Sequence, residues 1–222
     1  MEKIKASLPF YHVTGTPHTG LGTICVHYWA TINSKENIQK TVESSGANSL
    51  LVSDYFGNSA LHYAASSDAL NVAKYIISLL PNARFINNKN VTPAHIAAQR
   101  NNVEMLKEFQ KSPSLLTDAS KKGWTPFHYA VYYGSYDSVE FLLQTGKVNI
   151  NQLILGAETF QKSFSSKHAL RYFSPLDLAI YAQESIRNNT FEVETHKSIE
   201  NENENVDETY NSIIKLLIKN YA

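Results

Sequence analysis

One pattern stands three times in the sequence at a fixed spacing. GNSALHYAASSD lies at 57–68, NVTPAHIAAQRN at 90–101 and GWTPFHYAVYYG at 123–134, each copy 33 residues after the last. That period constrains the fold more than anything else in the chain. A unit of this length cannot bury its own apolar faces, so like units must stack into one elongated core with contacts mainly between neighbours. Each copy also carries a helix start. Thr92 and Thr125 stand where an N-cap hydroxyl is needed, and Pro93 and Pro126 follow at the first helical position, where a missing N–H costs nothing. Ser59 and Ala60 hold these places in the first copy. Small residues then line one helix face (Ala64 and Ala65, Ala97 and Ala98, Ala130 and Val131) and let a neighbouring helix approach closely. Large apolar residues at helical spacing mark a second helix: Val72, Ile76 and Ile77; Val103, Leu106 and Phe109; Val139, Leu142 and Leu143. The expected fold class is all-α, a solenoid of helix pairs.

Taken together, GWTPFHYAV, Gly134 and VEFLL at 139–143, closed by the turn TGKVNIN, resemble the ankyrin repeat, whose pattern is G-x-T-P-L-H-x-A-A, a glycine, then V-x-x-L-L. The resemblance is strong over about residues 54–151. It implies two antiparallel helices per unit with a short β-hairpin-like loop pointing sideways. It also assigns the recurring His62, His95 and His128 to hydrogen bonding of loops and between units. A fourth copy, FSPLDLAIYA at 173–182, comes 49 residues after WTPFHYAVYY instead of 33, with Asp177 in the histidine place. The excess of 16 residues is expected to loop out within ILGAETFQKSFSSKHA. A second insertion, NNTFEVETHKSIENENENVDE, is acidic, asparagine-rich and without helical periodicity, and splits that unit before YNSIIKLLIKNYA supplies its second helix. ICVHYWATIN and NIQKTVESSGA read as a degenerate first pair, since terminal units face solvent on one side. The expected division is a lead-in over 1–21 and one ankyrin-type domain over 22–222, of about five helix pairs. Its units fall near 22–53, 54–86, 87–119, 120–152 and 169–222, with insertions near 153–168 and 184–209.

Composition narrows the function classes. Apolar residues are 43% and charged residues 18%, a globular balance. Basic and acidic residues stand at 20 each, which favours neither nucleic acid nor an anionic membrane, since both reward excess positive charge. No apolar run reaches the length of a membrane span, and no secretory signal is recognisable. Cys25, the only cysteine, suits a reducing compartment. A cytoplasmic monomer is expected. Ankyrin-like arrays also occur in proteins that intracellular bacteria deliver into host cells, so the resemblance admits an effector acting in the host cytoplasm.

Candidates for chemistry are few. Three periodic histidines invite a metal reading, but stacked units hold equivalent residues about 10 Å apart, too far to share an ion. Gly15 and Gly20 have P-loop spacing, yet Leu21 and Gly22 stand where Lys and Ser/Thr are needed. His12, His18, Cys25 and His27 match no common zinc spacing. A thiol enzyme using Cys25 with one of these histidines is a second hypothesis; against it, Cys25 reads as a buried core residue of a capping helix. A third is the targeting part of a longer protein, whose last helix lacks a polar cap and would self-associate. The leading expectation is non-enzymatic, with no catalytic residue, no metal and no cofactor.

The resemblance places partner binding on hairpin tips and on exposed positions of the first helices. Carried onto this sequence, these are Tyr55 and Phe56; Asn88, Lys89, Gln99 and Arg100; Lys121, Lys122, Trp124, Tyr132 and Tyr133; and Arg171, Tyr172, Phe173 and Tyr181. Tyr, Trp and Arg are enriched at interface hot spots because they bury much area while keeping a polar handle. A protein partner with acidic and apolar residues is the expected complement. Trp124, Tyr132 and Tyr133 would be the anchors, and Lys121, Lys122 and Arg171 would steer acidic groups.

Overall fold

The computed structural model describes residues 21–155, 172–188 and 203–221. His12, His18 and Arg171 lie outside the described residues. The first pair is α1 (Leu21–Thr31) and α2 (Lys35–Ser45), followed by a 3-10 turn (Ala47–Leu51). The three repeated units are α3 (Ala60–Ser66) with α4 (Leu70–Leu79), α5 (Pro93–Gln99) with α6 (Val103–Phe109), and α8 (Pro126–Tyr132) with α9 (Tyr136–Gln144). Strand β1 (Ile154–Leu155) pairs antiparallel with β2 (Tyr172–Phe173), and the last pair is α10 (Pro175–Arg187) and α11 (Asn203–Tyr221). First helices pack on first helices, and second on second, all along the stack. The fold is the helical solenoid that the period predicts.

The helix starts form as the caps require. Thr92 N–H donates to His95 Nδ1 at 3.0 Å, with the Thr92 hydroxyl 2.8 Å from the same nitrogen. Ser59 with His62 and Thr125 with His128 repeat this capping box, in which the ring replaces the usual acidic acceptor. In the last unit Asp177 takes over: its carboxylate accepts from Ser174 N–H at 2.9 Å and from the Ser174 hydroxyl at 2.7 Å.

The turn between paired helices needs one left-handed residue, and Asn33, Asp68, Asn101 and Gly134 fill that column with φ of 55°, 56°, 55° and 70°. Asn33 and Asn101 also bind the next unit, accepting from Val72 N–H and Ser138 N–H. Gly134 is irreplaceable for a further reason. A Cβ there would meet the Tyr210 ring of α11 at 3.2 Å. Gly134→Ala is expected to cost more than about 1 kcal/mol, through both φ and the clash. Urea unfolding checks this; an unchanged midpoint would mean that Tyr210 does not press on this turn.

Two features depart from the sequence reading. A short α7 (Pro113–Thr117), not foreseen, sits between the second and third strong units. It buries Leu115 and Leu116, and the Leu115 carbonyl accepts the Thr92 hydroxyl at 3.0 Å. Helices α10 and α11 also run through 184–187 and 203–209, inside the insertion expected near 184–209. The extra turns are held by Arg187, which pairs with both oxygens of Asp207 at 2.7 Å, and by Gln183, which donates to Asp207 and Asn211.

Candidate partner-binding face

Between one unit and the next the chain turns through a tight loop, and a side-chain oxygen holds two of these loops from inside. Asp54 Oδ1 accepts from Phe56 N–H and Asn58 N–H at 2.8 and 2.7 Å, and Asn87 Oδ1 accepts from Lys89 N–H and Val91 N–H at 2.9 and 3.0 Å. The tips then bond to each other. Asn88 N–H donates to the Phe56 carbonyl, and Lys121 N–H to the Lys89 carbonyl, both at 2.9 Å. One row results, carrying Tyr55 and Phe56, then Asn88 and Lys89, then Lys121 and Lys122, all exposed. Tyr55 is 87% exposed and meets Phe56 edge-on at 5.4 Å. A groove of about 580 Å³ runs beside the tips, lined in part by Leu51, Arg84, Ile86, Asn88 and Lys121.

The other candidates do not join this row as free surface. Trp124 is only 8% exposed. Its ring packs edge-on to Tyr129 at 5.8 Å and to Tyr132 at 5.2 Å, so it is a core residue and not an exposed anchor. The reason is its column: Val91, Trp124 and Phe173 hold the same place in successive units, and all three are buried. Tyr132 and Tyr133 are half-buried, 5.1 Å apart, and the Tyr132 carbonyl is taken by the Tyr210 hydroxyl at 2.5 Å. Tyr181 is half-buried beside Phe173, while Tyr172, on β2, is 64% exposed. Arg100 is exposed but lies at the other end of its helix, where it pairs with Asp68 at 3.2 Å. Half-buried Gln99 lends its carbonyl to the Ser135 hydroxyl.

The histidines form a ladder through the stack. His62 Nε2 donates to the Val91 carbonyl at 3.0 Å, His95 Nε2 to the Trp124 carbonyl at 2.9 Å, and His128 Nε2 to the Gln152 carbonyl at 3.0 Å. A carbonyl can only accept, so Nε2 carries the proton; Nδ1 faces a backbone N–H, so it must stay bare. Burial pushes His62 and His95 down to about 4 and lowers His128 as well, against the opposing pull of the carbonyl bonds. Among the described residues no group of three metal-binding side chains converges.

His27 belongs to the same ladder, which the sequence reading missed by weighing it as a metal or catalytic group. Its Nε2 donates to the Val52 carbonyl at 3.0 Å and its ring stacks on Tyr63 at 4.8 Å. The signal was present: VHYWA at 26–30 parallels LHYAA at 61–65. Cys25, expected in the core, is exposed instead. It stands in the N1 column of Ala60, Pro93 and Pro126, although α1 begins a turn earlier, and no unit is described before it.

Two family descriptions match overlapping stretches, ankyrin repeats in three copies over residues 77–153 and a single ankyrin repeat over 56–88. Residues 56–153 are ankyrin repeats. Known proteins are similar to parts of the chain. An ankyrin repeat protein of Acanthamoeba polyphaga mimivirus is 29% identical over 101 residues, 46% of this chain and 13% of its own length. The human transient receptor potential cation channel subfamily A member 1 is 24% identical over 161 residues, 57% of this chain and 14% of its own. Alpha-latrotoxin-Lg1a of Latrodectus geometricus is 32% identical over 96 residues, 42% of this chain and 7% of its own. The chain thus spans about a seventh or less of the length of these relatives. No helix among the described residues is long and apolar enough to cross a membrane.

Proposed function

We propose that the ankyrin array is a protein-binding module that grips an extended, acidic segment of a partner along its hairpin row. The observation that carries this reading is the row itself. Lys89, Lys121 and Lys122 enter no ion pair among the described residues, and the aromatic pair Tyr55 and Phe56 stands exposed at one end. Exposed Tyr172 extends the same type of surface on β2. The tips are bonded to one another through backbone, so the side chains are presented at fixed spacing with little ordering cost on binding. Three uncompensated ammonium groups select carboxylates, and the rings supply apolar area.

Peptides selected from a random display library on the immobilised chain are expected to be rich in Asp and Glu beside aromatic or aliphatic residues. Their affinity should fall by about tenfold or more in a Lys89→Glu, Lys121→Glu, Lys122→Glu variant, and again in Tyr55→Ala, Phe56→Ala. Added salt should weaken the first contribution more than the second. Thermal unfolding of both variants should match the parent, since every altered side chain is exposed. Selected peptides that bind both variants as well as the parent would place recognition elsewhere.

A further inference from the structure

One stretch of the second unit leaves its backbone unused. Residues 83–87 run without turn or bend between α4 and the tip that carries Asn88 and Lys89. Both ends are tied: Ala83 N–H donates to the Leu80 carbonyl at 3.2 Å, and Asn87 N–H to the Val91 carbonyl at 3.0 Å. Between them the N–H and C=O groups of Arg84, Phe85 and Ile86 meet no partner among the described residues. The repeat does not impose this. One period earlier the chain closes the 3-10 turn, and the Val52 carbonyl accepts from His27. One period later it closes α7, with Asp118 N–H on the Ser114 carbonyl at 2.9 Å. After one more period Gln152 is bonded through both its N–H and its carbonyl. Backbone groups left bare over three residues in a row are unusual in a folded chain and await a partner.

The same stretch lines the groove beside the tips, together with Leu51 and Lys121. Phe85 is buried, whereas Arg84 is exposed and Ile86 half-buried, the alternation of a strand with one face outward. Leu51, 40% exposed, adds apolar surface. No acidic residue lines the groove among the described residues, and of its two cations only Arg84 is paired, to Asp118 at 3.2 Å. Lys121 enters no ion pair there and is shared with the row of lysines. We infer, building on the binding module proposed above, that this groove seats the backbone of the acidic segment as an extra strand against residues 84–86. Another extended backbone is the partner that offers donors and acceptors in matching alternation. The side chains of an added strand also alternate. Those facing inward meet Leu51 and Ile86 and are apolar; carboxylates reach Lys121 and its neighbours Lys89 and Lys122.

Hydrogen exchange of single amides, followed by NMR on the full chain, tests the added strand. The probe is a synthetic copy of an acidic peptide selected from the display library. At saturating peptide at least one of the Arg84, Phe85 and Ile86 amides is expected to exchange more slowly by about tenfold or more. N-methylation of the peptide should lower its affinity by about tenfold or more on one set of alternate residues and spare the other set. A peptide that needs the lysines while all three amides exchange as in the free chain would overturn the added strand and leave the binding module standing. Indifference to N-methylation at every position would do the same. A chain that selects no acidic peptide would overturn both.

Discussion

The free energy of unfolding is expected to be flat above about pH 6.5 and to drop steeply between there and about pH 4, below which the histidines add no further slope. The cause is the histidine ladder. In the unfolded chain these rings titrate near 6.5, whereas in the folded state burial pushes His62 and His95 down to about 4. The sign follows from which state holds more protons. Between the two values the unfolded chain is protonated and the fold is not, so each step down in pH favours unfolding. At pH 5 each of the two rings removes roughly 2 kcal/mol, about 4 kcal/mol together, with His27 and His128 adding in the same direction. That is a large share of the roughly 5–15 kcal/mol available to an ordinary domain. Carboxylates do not blur the window. Asp207, held low by its bond to Arg187, loses its contribution only below about pH 4. Urea unfolding at pH 7, 6 and 5 checks the slope, and His95→Gln should flatten it while lowering stability at pH 7. Equal stability at pH 7 and pH 5 would mean that the rings accept a proton without breaking their bonds.

One residue type performs three tasks in this ladder, which is why the repeat tolerates change elsewhere and keeps histidine at 62, 95 and 128. Nδ1 ends the cap, Nε2–H ties the next loop, and the ring fills core space. The caps, the alanine faces and the second helices were legible in the sequence because each follows from local chemistry repeated at a fixed period. The turn column of Asn33, Asp68, Asn101 and Gly134 was legible in principle too. All four are residue types that tolerate a left-handed backbone, although only the glycine is conspicuous. Helix α7 was not legible, since its five residues are held by tertiary bonds from Ser112 to the Pro81 carbonyl and from Thr92 to the Leu115 carbonyl.

The hairpin row was read from the resemblance alone, and its exposure follows from tip positions that point away from the core. Burial of single aromatics was harder. Exposure depends on which way a loop residue faces, and one sequence displays that only when its columns are compared. The column of Val91, Trp124 and Phe173 holds apolar residues in three units, a sign of an inward position that the size of the tryptophan obscures. Arg100 was misplaced for a related reason. It caps the far end of α5, where a salt bridge to Asp68 uses it.

Trp124→Ala should therefore behave as a core deletion, with a loss of about 3–5 kcal/mol. The ring packs against Tyr129 and Tyr132 of α8, and the Trp124 carbonyl is the acceptor for His95. Removing it leaves a cavity bounded by rigid rings and weakens the rung of the ladder at that point. Tyr55→Ala and Phe56→Ala, which empty no core space, should stay within about 0.5 kcal/mol of the parent. Any loss of partner binding in the tryptophan variant would then report a partly unfolded array, while the same loss in the tip variants would report recognition. Urea midpoints with an unchanged m-value separate the two cases. A tryptophan variant as stable as the parent would mean that the ring can leave the core, and it would return to the set of binding anchors.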